Sequence, residues 1–253
     1  MYILIFTLGI IIGSFLNVCI YRIPREESIA FPSSHCTYCS TPLRWYDLIP
    51  IFSYLSLRGK CRYCGGHISP QYPIIEALNG ILYVITYYIY GLSLDFIFYS
   101  FIISSLISMS LIDYYHKIIP DGLNIMILIM TIIYKSISIL FYHIPIGLLD
   151  SFLGLLAGGI LFFLIAALSN GGMGGGDIKL ITVLGLILGL KKTLLNILLS
   201  FVIGAVFSIL LLTLNKKGKK DAIPFGPFIN IAFMITLFFG EQIINWYINN
   251  FLM

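Results

Sequence analysis

Two aspartates and four cysteines carry most of the chemistry that this chain of 253 residues can offer. Asp113 closes one apolar run in "SLIDYYHKIIPDGLN", and Asp177 opens another in "GGMGGGDIKLITVLG". A carboxylate beside lipid is costly, which makes each of them a functional candidate by default. Two carboxyl groups brought close together cannot both ionise near neutral pH, so they share a proton. One can then activate water while the other protonates a carbonyl oxygen or a leaving amine, the chemistry of an aspartic protease. Competing structural readings exist for two positions. Asp121 follows Pro120 at the head of the next apolar run and reads as a helix N-cap. Asp177 can cap its own helix while the glycines make a turn. Helix ends suggest roles for the pair: the N-terminal dipole and Lys179 favour Asp177 as base, and the C-terminal dipole favours Asp113 as acid.

The cysteines are Cys36, Cys39, Cys61 and Cys64, two C-x2-C pairs separated by 21 residues. Two close pairs match a tetrahedral zinc site, each turn pointing two thiolates at one ion. Four thiolates leave no open coordination position, so the metal's role is structural. Disulfides are one alternative, which a reducing compartment disfavours, and a redox-active C-x2-C is another, against which the two paired copies favour metal. His35 and His67 flank the outer cysteines and read as surface residues, and Cys19 reads as a small apolar residue of the first span.

These groups must be positioned by membrane helices. The chain is 59% hydrophobic and only 10% charged, with a mean hydropathy of +0.98. The expected fold is an all-α polytopic membrane protein of about eight transmembrane helices, with a small cytoplasmic zinc-binding insertion after the first helix. The spans are placed at 1–20, 74–90, 94–113, 123–142, 149–168, 178–190, 193–214 and 224–246. The first lacks a basic n-region and reads as a retained helix rather than a signal peptide. The division expected is a first helix at 1–20, a four-cysteine zinc-binding insertion at 21–73, and a peptidase bundle at 74–253. With the N-terminus outside, eleven of the fifteen basic residues fall in the cytoplasmic segments, including the lysines of "NKKGKKD" at 215–221. Both aspartates then lie at the cytoplasmic membrane surface. Lys191 and Lys192 are exceptions on the other side.

The stretches "GSFLNVCIYRIP", the paired cysteines, "SLRGKCRYCGGHISPQYPIIE", "IDYYHKIIPD", "GGGDIKL" and "IPFGPF" occur in that order along the chain. On them the sequence resembles the type IV prepilin peptidases, membrane aspartyl proteases with a G-x-G-D motif, here Gly174, Gly176 and Asp177. The resemblance implies cleavage of the short basic leader of prepilins or pseudopilins at the cytoplasmic face of the bacterial inner membrane, typically after a glycine. It maps the catalytic pair onto Asp113 and Asp177; Lys179 is a supporting residue on the charge argument above. It also implies N-methylation of the new terminus with S-adenosylmethionine, for which Asn17 and Glu76 are candidate residues; interhelical hydrogen bonding and an interfacial acid are their structural readings. The alternatives are a peptidase without methyltransferase activity, and a transporter with intramembrane carboxylates. Partners expected are the prepilin precursors and the lipid bilayer, with no nucleic acid.

Overall fold

A computed structural model describes residues 1–141, 147–169, 172–214 and 223–251. Among them the regular elements are all helices, with no strand beyond two isolated bridges, and most of the insertion between the first two long helices is turn and coil. The long helices are α1 (Tyr2–Arg22), α3 (Gln71–Tyr90), α4 (Leu94–His116), α5 (Asp121–Leu140), α6 (Leu148–Leu168), α7 (Gly175–Leu188), α8 (Leu190–Thr213) and α9 (Gly226–Phe251); a short α2 (Phe52–Ser56) lies in the insertion. All eight expected segments are therefore helices. Six of them, α1, α4, α5, α6, α8 and α9, are long and apolar enough to cross a membrane. α3 carries Glu76, Asn79 and five tyrosines, which lower its hydropathy, and α7 has only 14 residues. The lysines of 215–221, which contribute to the expected orientation, lie outside the described residues.

The distribution of polarity is that of a membrane protein. Large apolar side chains such as Ile3, Phe163, Leu168 and Leu198 point outward, while Asn79, Thr131, Thr193, Asn196, Ser200 and Thr236 are fully buried. Lipid tails are as apolar as leucine, so helices associate through close packing and polar contacts rather than through hydrophobic burial.

The chain forms two compact units, Met1–Ser108 and Met109–Met253. In the first, α1 and α3 pack backbone to backbone. A Cβ on Gly9 would lie 2.7 Å from Gly80 Cα, and one on Gly13 would lie 2.7 Å from Glu76 Cα, so only glycine permits this approach. Asn79 fastens the pair by donating to the Gly9 carbonyl (2.7 Å), and it accepts from the Ser104 hydroxyl (2.9 Å). Arg22, buried at the end of α1, donates to the carbonyls of Ser28 and Pro32 and so ties down the start of the insertion.

In the second unit α7 is the inner helix, packed by α5, α6, α8 and α9, with Leu180, Ile181 and Leu184 fully buried. Gly189, at φ +75, ends α7 and turns the chain directly into α8, whose first amide (Leu190) donates to Asp150 at 3.1 Å. Two lysines that stand apart from the cytoplasmic loops have partners here. Lys192 pairs with Glu241 at 2.9 Å, and Lys135, inside the fourth expected span, donates to the Ser151 hydroxyl at 2.8 Å.

Candidate functional site

Asp113 lies in the last turn of α4 and Asp177 in the first turn of α7, both buried in the second unit. Both border one side chain: a Cβ on Gly176, next to Asp177, would fall 2.8 Å from Ile119 Cβ, and one on Gly226, whose amide reaches Asp113, would fall 3.2 Å from Ile119 Cδ1. Their hydrogen-bonding environments differ. Asp113 Oδ2 accepts the Gly226 amide at 2.9 Å, and Gly226 is the first residue of α9. The first amides of a helix have no partner within it and carry the positive end of its dipole, so they are suited to hold an anion. Asp177 has the Gly174 amide beside it at the start of its own helix, but its Oδ1 is buried with no partner. The structural reading of Asp177 as a cap is corrected: Gly174 holds the N-cap position, no side chain caps the helix, and Asp177 is its third residue.

The helix-end argument for the roles of the two groups is corrected by this geometry. Asp113 does sit at a helix C-terminus, but the N-terminus of α9 approaches it from another direction and supplies a donor. Lys179 does not reach Asp177; its ammonium lies 2.8 Å from both carboxylate oxygens of Asp121, and the pair is exposed. Asp121 is not an N-cap either. Pro120 holds that position, Asp121 is the first helical residue, and its side chain is turned to α7.

Glycine backbone and the Ile119 side chain lie around the carboxylates. A Cβ on Gly226 would fall 2.7 Å from Asp113 Oδ2, and one on Gly176 would fall 2.8 Å from Ile119 Cβ. Gly176 thus belongs to the immediate surroundings of the pair, and Gly174 is the N-cap of α7, 3.1 Å (as a notional Cβ) from Asp177 Oδ2. The Gly226 donor and Ile119 are not singled out by sequence. The signal for the first is the Gly-Pro of "IPFGPF" opening an apolar run, since proline favours the first turn of a helix and leaves neighbouring amides free.

The four cysteines meet in the first unit. All five cysteines of the chain are free thiols, and the sulfurs of Cys36, Cys39, Cys61 and Cys64 lie within 4.8 Å of one another. Cys36 and Cys64 are 3.9 Å apart. Tetrahedral zinc with Zn–S bonds of about 2.3 Å needs sulfurs about 3.8 Å apart, so the donor set fits a metal of that kind. The two halves are built alike. Ser40 N–H donates to the Cys36 carbonyl and Gly65 N–H to the Cys61 carbonyl, each at 2.9 Å, and isolated bridges His35–Pro42 and Lys60–His67 flank the turns. The Thr41 hydroxyl lowers the Cys39 thiol to about 6, and the amides of Cys64 and Tyr63 hold Cys61 below the usual thiol range. Such thiolates favour a cation among them. The histidines lie outside the sulfur group. Asp47 braces the module by accepting from Arg62 (2.7 Å), Tyr63 (2.9 Å) and the Arg44 amide (3.2 Å). Burial pushes the Asp47 carboxyl up, but those donors outweigh it and hold the group below the usual carboxylate range.

Glu76 and Asn17 face the junction of the module with α1 and α3. Glu76 accepts the Ile51 amide at 2.7 Å, and Ile51 is held at φ +63, an unusual conformation for a β-branched residue. Asn17 donates to the Tyr72 carbonyl at 3.3 Å, as its interhelical reading requires, while its Oδ1 is buried without a partner.

Comparison with known proteins follows the same division. Residues 7–90 match the bacterial peptidase A24 N-terminal domain, and residues 100–209 match the type IV leader peptidase family. A Bacillus subtilis protein named prepilin leader peptidase/N-methyltransferase is 34% identical over 249 residues, covering 97% of each chain. Proteins of the same name from Legionella pneumophila (31% identical, 98% of this chain and 94% of that one) and Stutzerimonas stutzeri (34%, 93% and 90%) are also similar. No solved structure matches significantly.

Proposed function

The chain belongs to the type IV leader peptidase family, and we propose that it cleaves the basic leader from prepilins or pseudopilins with Asp113 and Asp177 as its catalytic pair. The observation that supports this reading is that both carboxylates are buried at helix ends of one unit, with Asp113 gripped by the Gly226 amide. A hydrogen bond to the charged form of an acid favours that form. Asp113 therefore holds the negative charge and takes a proton from water, while Asp177 holds the shared proton and gives it to the carbonyl oxygen. The proton taken from water then passes from Asp113 to the leaving amine, while Asp177 takes a proton back from a hydroxyl of the tetrahedral diol as the C–N bond breaks and the carbonyl re-forms. The active site faces the cytoplasm of a bacterial inner membrane, as the basic residues of the loops support. A prepilin enters with its basic leader in the cytoplasm and its apolar helix in the bilayer. Its scissile bond thus lies at the interface, the depth of both aspartates.

Zinc is the metal proposed for the four cysteines, holding together an insertion too small to build a core. The enzyme is also proposed to methylate the new terminus, as the names of its relatives suggest. S-adenosylmethionine, when bound, supplies the methyl group. Asn17 Oδ1 and Glu76 are acceptors, chemically suited to hold the freed amino group rather than the donor's carboxylate. A transporter is not favoured, given the family.

The test is cleavage of a purified prepilin by wild type, Asp113→Asn and Asp177→Asn, with the product read by mass spectrometry. Both variants should lose cleavage, and the wild-type product should carry a methyl group. Wild-type rates from Asp177→Asn would refute the peptidase assignment; an unmethylated product would refute the second activity alone.

A further inference from the structure

One side chain lies against both the segment that carries Asp177 and the one whose amide holds Asp113. Ile119 sits in the connection between α4 and α5, residues 117–120. A Cβ on Gly176 would fall 2.8 Å from Ile119 Cβ and 3.4 Å from its Cγ1, and one on Gly226 would fall 3.2 Å from its Cδ1. Gly176 immediately precedes Asp177, and the amide of Gly226 donates to Asp113. The isoleucine therefore fills the space between two bare stretches of backbone that carry or grip the aspartates. Branching at Cβ leaves it few rotamers. The connection is also held at both ends. Lys117, at φ +57, donates its amide to the Asp113 carbonyl at 2.8 Å, and Asp121 grips Lys179.

We propose that Ile119 sets the size limit for the substrate residue that supplies the attacked carbonyl. The proposal rests on the aspartic-peptidase reading above. A peptide whose scissile carbonyl lies between Asp113 and Asp177 has the Cα of that residue one bond from the carbonyl carbon. The surfaces available to its side chain are then the backbones of Gly176 and Gly226 and the flank of Ile119. A residue without a side chain fits against them. A methyl group must displace the isoleucine or draw the carbonyl away from the carboxylates. In a tight apolar pocket one such group changes selection by roughly 10- to 200-fold. Ile119 makes no bond to the reacting atoms, so it is a positioning residue.

The experiment compares full-length wild type, Ile119→Val and Ile119→Ala in phospholipid vesicles, on two prepilins that differ only by glycine or alanine at the residue before the cut. The readout is the ratio of kcat/KM for the two substrates, which a general loss of folding or of carboxylate geometry would leave unmoved. Wild type should favour glycine by roughly tenfold or more, Ile119→Ala should reduce that ratio by a similar factor, and Ile119→Val should fall between. Equal wild-type rates on both substrates, or an unchanged ratio in an active variant, would overturn the proposal. If Ile119→Ala cuts neither substrate, Ile119→Val decides by the same criterion. Failure of wild type to cut the glycine substrate would instead refute the peptidase reading, and the size limit with it.

Discussion

Replacing Gly226 by alanine tests the arrangement of the site most directly. The added Cβ would lie 2.7 Å from Asp113 Oδ2, about 0.7 Å inside ordinary contact, and 3.2 Å from Ile119 Cδ1. Neither neighbour is the free end of a flexible chain, because the carboxylate is held by the Gly226 amide and Ile119 is wedged against Gly176. Relief must therefore come by moving the Asp113 carboxylate or the start of α9. Either movement lengthens the bond from the amide, and a hydrogen bond to a charged group is worth about 1.5–3 kcal/mol. A displacement approaching 1 Å at a reacting group costs on the order of 100-fold in rate. Both routes give a fall in kcat of about 10- to 150-fold, at about 1.4 kcal/mol per factor of ten. The assay is single-turnover cleavage with enzyme in excess, which isolates the chemical step from product release. Thermal unfolding in the same detergent would separate this loss from overpacking, which costs about 1–3 kcal/mol of stability. A cleavage rate within about threefold of wild type, equivalent to about 0.7 kcal/mol, would refute the claim that the Gly226 amide holds a catalytic carboxylate.

Three further outcomes follow from other parts of the molecule. Asp121→Ala should cost no more than about 1 kcal/mol in a thermal melt and leave the pH–rate profile in place, since its ion pair with Lys179 is exposed; a displaced profile would return Lys179 to the catalytic group. Cys36→Ser should abolish stoichiometric zinc measured by elemental analysis and expose the segment between the cysteine pairs to protease. Retention of full metal content would refute the four-thiolate site. Asn79→Ala should lower the melting temperature by an amount matching about 1–3 kcal/mol, because it strips the Gly9 carbonyl and the Ser104 hydroxyl of a buried partner; an unshifted melt would show that these contacts add nothing.

The parts of this molecule legible in the sequence are those written in local pattern. Apolar runs mark the helices, and paired cysteines at fixed spacing mark the sulfur cluster, since a C-x2-C turn aims both thiols the same way wherever it occurs. The aspartates stand out because charge is rare in such a chain. Relations between distant elements leave no such trace. Local pattern assigns Asp113 the environment of its own helix end, but the deciding group is the amide of Gly226, 113 residues away. Lys179 looks like a partner for Asp177 because it is two positions along, yet two positions on a helix do not share a face, and Asp121 is where the lysine's face leads. Ile119 carries no signal at all. An isoleucine among isoleucines becomes informative only when two glycine backbones are seen on either side of it.

The brevity of α7 bears on a requirement that concerns the solvent rather than the protein. Fourteen residues rise about 21 Å, against a hydrocarbon thickness of about 30 Å, and the chain turns back at Gly189 without a pause. The helix that carries Asp177 is therefore about 9 Å shorter than the hydrocarbon thickness, and it is packed by α5, α6, α8 and α9. Polar backbone at such an end is tolerated at membrane depth only where protein or a water-lined cavity surrounds it. Hydrolysis consumes one water for every leader removed, so a bilayer-embedded protease needs a route of supply as much as it needs carboxylates. A short inner helix packed by four longer ones is a construction that leaves room for such a route.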